Sequence, residues 1–328
     1  FYATTQFIDL CLSAPVFQQP VNDWEYVLWD YLEQSLTQHE LLFSGKVSPL
    51  SLLFNSDEIT TALYAKHPAL NYLNQCAKDI VSAMVGATSS LNILEIGAGT
   101  GATTQGIVAV LKNTHYSYTF TDISHYFLDK ARKKFTAVGE MRYQLFDINA
   151  PIQFSHHPDN GYDLIIASNV LHDASHIGHA LKRIRSLLKP QGYLLFIEAT
   201  ECQSAMQMAT VGFIEGLSAY QDKRILTNKA MLDSESWHDI LINTGFETIG
   251  QWPQTDSSSL RQTLFLASPT RGGKPYLGKL RDYLSHSLDQ NIDSLELFQC
   301  ENIEATLNGI AASSAQELNE QYLMYQPI

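Results

Sequence analysis

The sequence contains few cysteines, and none of them are closely paired. Its four cysteines are spread over 328 residues without a CxxC spacing. This pattern is typical of a reducing compartment and argues against both a disulfide framework and a thiolate zinc site. We therefore expect a cytoplasmic protein whose fold depends on neither kind of cross-link.

Long apolar runs and basic residues are also scarce. No run of about 18 apolar residues is present, so we expect no membrane span. The opening stretch FYATTQFIDLCLSAPVF has no basic leader and contains Asp9, which argues against a signal peptide. The first residue is not Met, which is compatible with a piece of a longer polypeptide. A formal net charge of −13 opposes attraction to phosphates, so we expect no nucleic-acid partner.

Apolar spacing divides the chain into three parts. Residues 1–90 repeat apolar residues at three- and four-residue intervals, which predicts an N-terminal helical lid subdomain. Residues 91–268 alternate short apolar strands with amphipathic helices, which predicts an α/β core. An insertion at 201–232 follows the fifth strand, at the sheet edge where open α/β folds bind ligands. Residues 269–328 form a C-terminal extension to which we assign no role.

The core pattern predicts a mostly parallel, seven-stranded sheet with helices on both faces. The predicted strands are LNILEIG (91–97), YSYTFTD (116–122), MRYQLFDI (141–148), YDLIIAS (162–168), GYLLFIEA (192–199), ETIGQW (247–252) and QTLFLAS (262–268).

A glycine-rich turn, LEIGAGTG (94–101), joins the first strand to a helix. Its glycines permit unusual backbone angles and leave room for a ligand. The helix that begins there directs N–H groups and a positive dipole end at an anion. A G-x-G-x-x-G/A spacing also fits through Gly97, Gly99 and Ala102, so nicotinamide chemistry stays open at this point.

Acidic residues lie close to this turn in the predicted sheet. Glu95 precedes the glycines, and Asp122 ends the second strand, where a carboxylate can accept hydrogen bonds from ribose hydroxyls. That position suits NAD and S-adenosylmethionine equally. Asp147 and Ile148 end the third strand, where they suit a purine amine and a purine ring. An acid there favours a single adenosine whose tail bends back over the glycine turn.

Three histidines occur in ASNVLHDASHIGHA (167–180). His176 and His179 project away from the apolar stripe of the predicted helix, which indicates a surface role. Asp173 is placed to cap that helix. Metal binding by all three histidines is a weak alternative, because no HExxH pattern or completing carboxylate accompanies them.

His172 differs from the other two because it follows the fourth strand closely. Glu198 ends the fifth strand, and neighbouring strands lie about 4.8 Å apart, so the two side chains can meet. A carboxylate on one imidazole nitrogen fixes the tautomer and leaves the other nitrogen as a base near neutral pH. A polar pair without chemistry is the alternative.

In these segments the sequence resembles class I S-adenosylmethionine methyltransferases, in particular the carbon-methylating domains embedded in polyketide synthases. The motifs that carry the resemblance are EIGAGTG, TFTDIS, FDI, ASNVLH and LLKPQGYLLFIEAT, with similar flanking segments at 49–74, 213–220 and 234–247. Two positions depart from the family. Asn55-Ser56-Asp57 replaces a Pro-Gly-Gly-like stretch, and Leu217-Ser218 replaces paired tryptophans, both in the expected lid.

The resemblance implies methylation of the α-carbon of an acyl thioester carried by the phosphopantetheine of an acyl carrier protein. His172 and Glu198 are then the catalytic pair, and neighbouring domains of a megasynthase are expected partners. The predicted cofactor-binding residues are Glu95, Gly97, Ala98, Gly99, Gly101, Asp122, Ile123, Asp147, Ile148 and Asn169. The predicted substrate and lid residues are Tyr64, Phe213, Glu215 and Tyr220.

Other functions remain open at this point. An oxygen methyltransferase acting on a β-hydroxyacyl or enol intermediate would use the same base. A function of a different class is that of an inactive methyltransferase fold, which serves only as a structural spacer between neighbouring domains. A nucleic-acid methyltransferase is disfavoured by charge, and a nicotinamide enzyme is weaker still.

Overall fold

The structure is a computed structural model. It describes residues 23–86, 88–112, 114–151, 158, 161–200, 219–227, 229–253 and 261–270. The predictions for the first 22 residues, for most of the insertion and for nearly all of the C-terminal extension lie outside these residues.

The described chain divides into two compact units between His67 and Pro68. In the first unit, helices α1 (Asp23–Thr37), α2 (His39–Phe43), α3 (Pro49–Leu53) and α4 (Asp57–Thr61) are followed by a π-helical turn, Ala62–Lys66. Tyr31 of α1 lies in a small apolar core with Leu53 and Ile59. This unit is helical, as the apolar spacing predicts.

Helix α5 (Pro68–Val85) belongs to the second unit. Its buried residues, among them Leu73, Ala77 and Ile80, recur at helical spacing. The apolar spacing of the sequence assigns these residues to the predicted N-terminal subdomain, which ends at residue 90. Helix α5 packs against α6 (Ala102–Val110), where Thr103 Oγ1 donates a hydrogen bond to Asn74 Oδ1 at 2.8 Å.

The second unit is built on a seven-stranded sheet, which confirms the predicted class I methyltransferase architecture. The strands are β1 (Ser90–Ile96), β2 (His115–Asp122), β3 (Met141–Leu145), β4 (Tyr162–Ser168), β5 (Leu188–Ala199), β6 (Phe246–Trp252) and β7 (Gln262–Pro269). Their order is β3-β2-β1-β4-β5-β7-β6, and β7 runs antiparallel to both of its neighbours. The other neighbouring pairs are parallel.

Two strand boundaries differ from those predicted by more than one residue. Strand β3 ends at Leu145, and a turn begins at Asp147, whose carbonyl oxygen accepts a hydrogen bond from Ala150 N at 3.1 Å. Strand β5 begins at Leu188, directly after the preceding helix, because Leu188 pairs with Tyr162 before the register shifts.

The remaining helices are α7 (His125–Lys134), α8 (Ile177–Leu187), α9 (Arg224–Thr227) and α10 (Ser234–Asn243), with a 3₁₀ turn at Leu171–Asp173. Helices α8 and α10 bury apolar stripes against the sheet. Phe196 of β5 stacks on Phe265 at a centroid distance of 4.8 Å and packs on Trp237 of α10 at 5.0 Å. This core fixes the carboxyl end of β5, which is where Glu198 lies. Within the described ranges, no helix has both the length and the apolarity that crossing a membrane requires.

Candidate active site

The glycine turn after β1 lies against the segment that follows β4. Gly97 has φ +60°, and a Cβ atom there would lie 2.5 Å from Val170 Cγ2, so only glycine fits. Gly99 has φ +51°, but a Cβ there would have no heavy atom closer than 4.0 Å. The turn is therefore packed closely on one side and leaves space beside Gly99, where a ligand can approach the backbone.

Glu95 lies beneath this turn rather than at its surface. Its carboxylate is buried and accepts hydrogen bonds from Thr104 Oγ1 and Tyr118 Oη, both at 2.5 Å. Burial raises the pKa of Glu95 to about 7, against the lowering effect of these two bonds. Glu95 thus joins β1, β2 and α6 under the predicted cofactor site, and its carboxylate does not face outward.

Asp122 lies at the carboxyl end of β2, beside the glycine turn. Its two oxygens accept hydrogen bonds from the backbone N–H groups of Gly99, at 2.9 Å, and Ser124, at 2.8 Å. Burial raises the pKa of Asp122, while these backbone bonds lower it. The next residue, Ile123, exposes 70% of its surface, which is unusual for a large apolar side chain. Together they place a carboxylate and an open apolar surface side by side.

The segment after β3 contributes Asp147, Ile148 and a residue that the sequence analysis missed, Asn149. Ile148 is buried in the core, and Asp147 Oδ1 accepts a hydrogen bond from the Asn149 backbone N–H at 2.7 Å. The Asn149 side chain accepts from Ser175 N at 2.7 Å and donates to the Asp173 carbonyl at 3.3 Å. Asn149 therefore ties the predicted adenine side of the site to the histidine segment.

His172 and Glu198 meet at the carboxyl edge of β4 and β5. The distance from His172 Nδ1 to Glu198 Oε2 is 2.6 Å. Glu198 Oε1 accepts hydrogen bonds from the N–H groups of Val170, at 3.1 Å, and Leu171, at 2.7 Å. Asn169, at the end of β4, turns the chain with φ +50° and donates its N–H to Ile197 O at 2.8 Å. The carboxylate is therefore fixed by backbone donors, and it fixes the imidazole in turn.

Charge around His172 favours its protonated form. Burial lowers the pKa of His172, but the Glu198 and Asp173 carboxylates raise it more strongly, and the resulting pKa is about 9. Neutral imidazole in this setting is a stronger base than free histidine. It is present in a smaller fraction of molecules near neutral pH.

The other two histidines have a structural role at the start of α8. His176 is the N-cap residue, and its Nδ1 accepts from His179 N at 3.3 Å. The two rings stack at 3.7 Å. The prediction that Asp173 caps this helix is therefore wrong, because His176 occupies the cap position. In the part of the chain that the structure describes, no cluster of three potential ligands could hold a metal ion.

A buried arginine, which the sequence analysis also missed, supports the His172 backbone. Arg224 donates to the carbonyl oxygens of His172, at 2.6 Å, and Ala174, and it pairs with Asp222 at 2.8 Å. Asp222 in turn accepts from the N–H of Ile177 at the start of α8, at 3.0 Å. Arg224 begins the four-residue helix α9, which is too short for a periodic sequence pattern to reveal a buried arginine.

The predicted lid residues are only partly described. Tyr220 packs its ring over Arg224, 5.0 Å from the guanidinium carbon, so it lies near the His172 segment. Tyr64 is half-buried in the first unit. Phe213 and Glu215 lie outside the described residues.

The sheet order, the glycine turn and the carboxylate that ends β2 are those of the class I methyltransferase fold, whose members bind S-adenosylmethionine. A family model described as a methyltransferase domain matches residues 94–194. The residues present suit the adenosine part of this cofactor, since Asp122, exposed Ile123 and the open space at Gly99 lie together. Because the matching family model describes a methyltransferase domain, we set the nicotinamide alternative aside.

More narrowly, the chain is similar to methyltransferase domains of polyketide synthases. It is 31% identical over 265 residues to the reducing polyketide synthase Preu2 of Preussia isomera, an alignment that covers 80% of this chain and 11% of that protein. It is 33% identical over 221 residues to polyketide synthase PksM of Bacillus subtilis, covering 63% of this chain and 5% of that protein. The chain thus spans about a tenth or less of these curated relatives.

A solved structure supports the same conclusion. The CurJ carbon methyltransferase superposes with a TM-score of 0.70 at 28% identity, covering 81% of this chain and 70% of that one. The predicted resemblance to methyltransferase domains of polyketide synthases is confirmed.

Proposed function

We propose that this domain methylates the α-carbon of an acyl thioester, with His172 as the base and Glu198 as its partner. The observation that carries the proposal is the 2.6 Å contact between His172 Nδ1 and Glu198 Oε2. A carboxylate on Nδ1 directs the lone pair of the neutral imidazole to Nε2. Nε2 is then the atom that takes a proton from substrate.

The acceptor carbon requires such a base. A carbon between a ketone and a thioester becomes nucleophilic only after it loses a proton, whereas S-adenosylmethionine supplies a methyl group already activated on a sulfonium sulfur. When His172 accepts the α-proton, the C–H electron pair stays on the substrate as an enolate. Glu198, held by the N–H groups of Val170 and Leu171, stabilises the positive charge that appears on the ring.

The raised pKa of His172 sets the expected pH dependence. With a pKa of about 9, about one molecule in a hundred carries neutral imidazole at pH 7. Methylation by the free enzyme is therefore expected to accelerate as the pH rises towards 9.

The thioester is expected to arrive on the phosphopantetheine arm of an acyl carrier protein. Tethering within one megasynthase raises the effective concentration of the carrier, so a weak interface suffices even for an acidic domain. Exclusion of water from the site would protect the enolate from being quenched by a proton. Tyr220, whose ring packs over Arg224 near the His172 segment, is the described side chain that we propose for this role.

The test compares carbon and oxygen methylation directly. A β-ketoacyl pantetheine thioester labelled with deuterium at the α-carbon is incubated with ¹³C-methyl S-adenosylmethionine, and an enzyme-free sample measures background exchange. Carbon methylation gives a methyl carbon signal coupled to the acyl chain and the loss of one α-deuterium. An O-methyl signal would support the oxygen methyltransferase instead. If S-adenosylhomocysteine shows no binding by calorimetry, the domain is an inactive spacer.

A further inference from the structure

We propose that Asp173 carries protons between His172 and bulk solvent, which makes it a third catalytic residue of the site. This inference rests on the proposed role of His172 as the base. It concerns the step after proton abstraction, when the ring must lose its new proton before it can act again.

The geometry places one carboxylate on each side of the imidazole. Glu198 Oε2 lies 2.6 Å from Nδ1, and Asp173 Oδ1 lies 3.5 Å from Nε2, the nitrogen that faces substrate in the proposed reaction. The second distance is slightly longer than a hydrogen bond, and a side-chain rotation that shortens it by about 0.5 Å produces one.

Exposure increases stepwise along these three side chains. Glu198 exposes 0% of its side chain, His172 exposes 12% and Asp173 exposes 39%. Glu198 is enclosed, and its Oε1 already accepts two backbone N–H groups, so it offers no route for a proton to water. Asp173 contacts both the ring and the solvent.

The surroundings of Asp173 hold its backbone without using its carboxylate as a helix cap. Its N–H donates to Val170 O at 3.1 Å, and its carbonyl accepts from Asn149 Nδ2 at 3.3 Å. The first N–H groups of α8 bond instead to Asp222 and His176. Asp222 and His176 therefore cap α8 in place of Asp173, for which the sequence predicts this role.

Partial burial of the Asp173 carboxyl group favours proton transfer to it. Burial raises the pKa of its carboxyl group, His172 and Arg224 lower it, and Glu198 raises it; the result lies above the usual value for aspartate. A carboxylate with a raised pKa accepts a proton from an imidazolium at a smaller free-energy cost.

The transfer balances without any additional reactant. The α-proton passes to Nε2, and its electron pair remains on the substrate. The proton then passes from Nε2 to Asp173 Oδ1 and from there to water, which restores the lone pair of Nε2 and the carboxylate of Asp173.

The experiment separates proton exchange from methyl transfer. Wild-type domain, bound to S-adenosylhomocysteine so that no methyl group is available, is mixed in D₂O with a β-ketoacyl pantetheine thioester. Entry of deuterium at the α-carbon is followed by mass spectrometry. In parallel, single-turnover methylation is measured with S-adenosylmethionine. The variants are D173N, D173E, H172A and the control D239N, which alters an exposed aspartate of α10.

We expect D173N to slow α-carbon exchange at least about tenfold, because the proton on Nε2 returns to the substrate before it reaches solvent. Single-turnover methylation is expected to fall much less than exchange, because a single turnover ends before His172 has to lose the proton that it took from the substrate. D173E is expected to restore much of the exchange, and D239N to behave as wild type.

Two outcomes overturn the relay. Exchange in D173N at the wild-type rate shows that protons leave by another route. Equal losses of exchange and methylation show that Asp173 only positions the ring. A failure of the proposed function looks different: exchange in the wild type would then equal exchange in H172A.

Discussion

Replacing Glu198 by glutamine separates the charge of this side chain from its shape. Glutamine has nearly the same volume, and its carbonyl oxygen can still accept the N–H groups of Val170 and Leu171. Its amide NH₂ then faces His172 Nδ1 at the position now occupied by Oε2. An NH₂ donor there requires the lone pair of neutral imidazole on Nδ1, so the proton moves to Nε2, and the atom that should accept the α-proton is blocked.

The expected loss of methylation rate in E198Q has two sources, the changed pKa of His172 and the changed position of its lone pair. The net rise in the pKa of His172, from 6.5 to about 9, corresponds to roughly 3 kcal/mol in favour of the protonated ring. Most of that stabilisation is lost in E198Q, because Glu198 is the largest of the raising charges. Loss of a correctly oriented base typically reduces a rate by about 10²- to 10⁴-fold, and we expect E198Q to fall in this range.

Single-turnover methylation, measured across pH at saturating donor, is the appropriate assay. The wild-type rate should rise with pH towards 9, and the small remaining rate of E198Q should reach its plateau at lower pH. The affinity of E198Q for S-adenosylhomocysteine should stay within a few fold of the wild-type affinity. The control variant E235Q, which replaces an exposed glutamate of α10, should resemble wild type. Unchanged methylation by E198Q would refute the assignment of this pair.

Three further substitutions test the surrounding structure. D122A should weaken binding of S-adenosylhomocysteine about ten- to hundredfold, which corresponds to the usual free energy of a hydrogen bond to a charged group. An unaltered dissociation constant in calorimetry would show that the ribose lies elsewhere. Because the folded-state pKa of Glu95 is raised from 4.5 to about 7, the folded protein binds more protons and loses up to about 3 kcal/mol of stability as the pH rises through that interval. E95Q should remove this slope from urea unfolding curves, and a slope equal to that of wild type would contradict the burial argument. R224K should lower the unfolding free energy by about 1–3 kcal/mol, since lysine cannot replace the several bonds of the guanidinium to Asp222 and the backbone, and an unchanged urea midpoint would argue against that network.

The sheet follows from the sequence because its strands are short apolar runs separated by amphipathic helices. The same pattern places His172 and Glu198 at neighbouring carboxyl ends, since β4 and β5 are parallel and adjacent. The roles assigned to this pair and to the cofactor residues stay predictions, although the structure brings most of them to one edge of the sheet.

Other parts of the site depend on contacts between segments that are distant in the sequence. Asp173 has the usual sequence context of a helix cap, but His176 and Asp222 bind the first N–H groups of α8. Arg224, at the start of the short helix α9, lies 52 positions from His172 and donates a hydrogen bond to its carbonyl oxygen. Neither periodicity nor residue type predicts the contacts of such a side chain, because tertiary packing determines them.

Methylation by the H172A variant tests the base assignment most directly. Intact-protein mass spectrometry of an acyl-loaded carrier protein, incubated with S-adenosylmethionine and either wild type or the variant, measures the product without a reporter. We predict a mass increase of one methyl group with wild type and none with H172A, while both proteins bind S-adenosylhomocysteine with similar affinity. Methylated carrier at the wild-type rate with H172A would contradict the account.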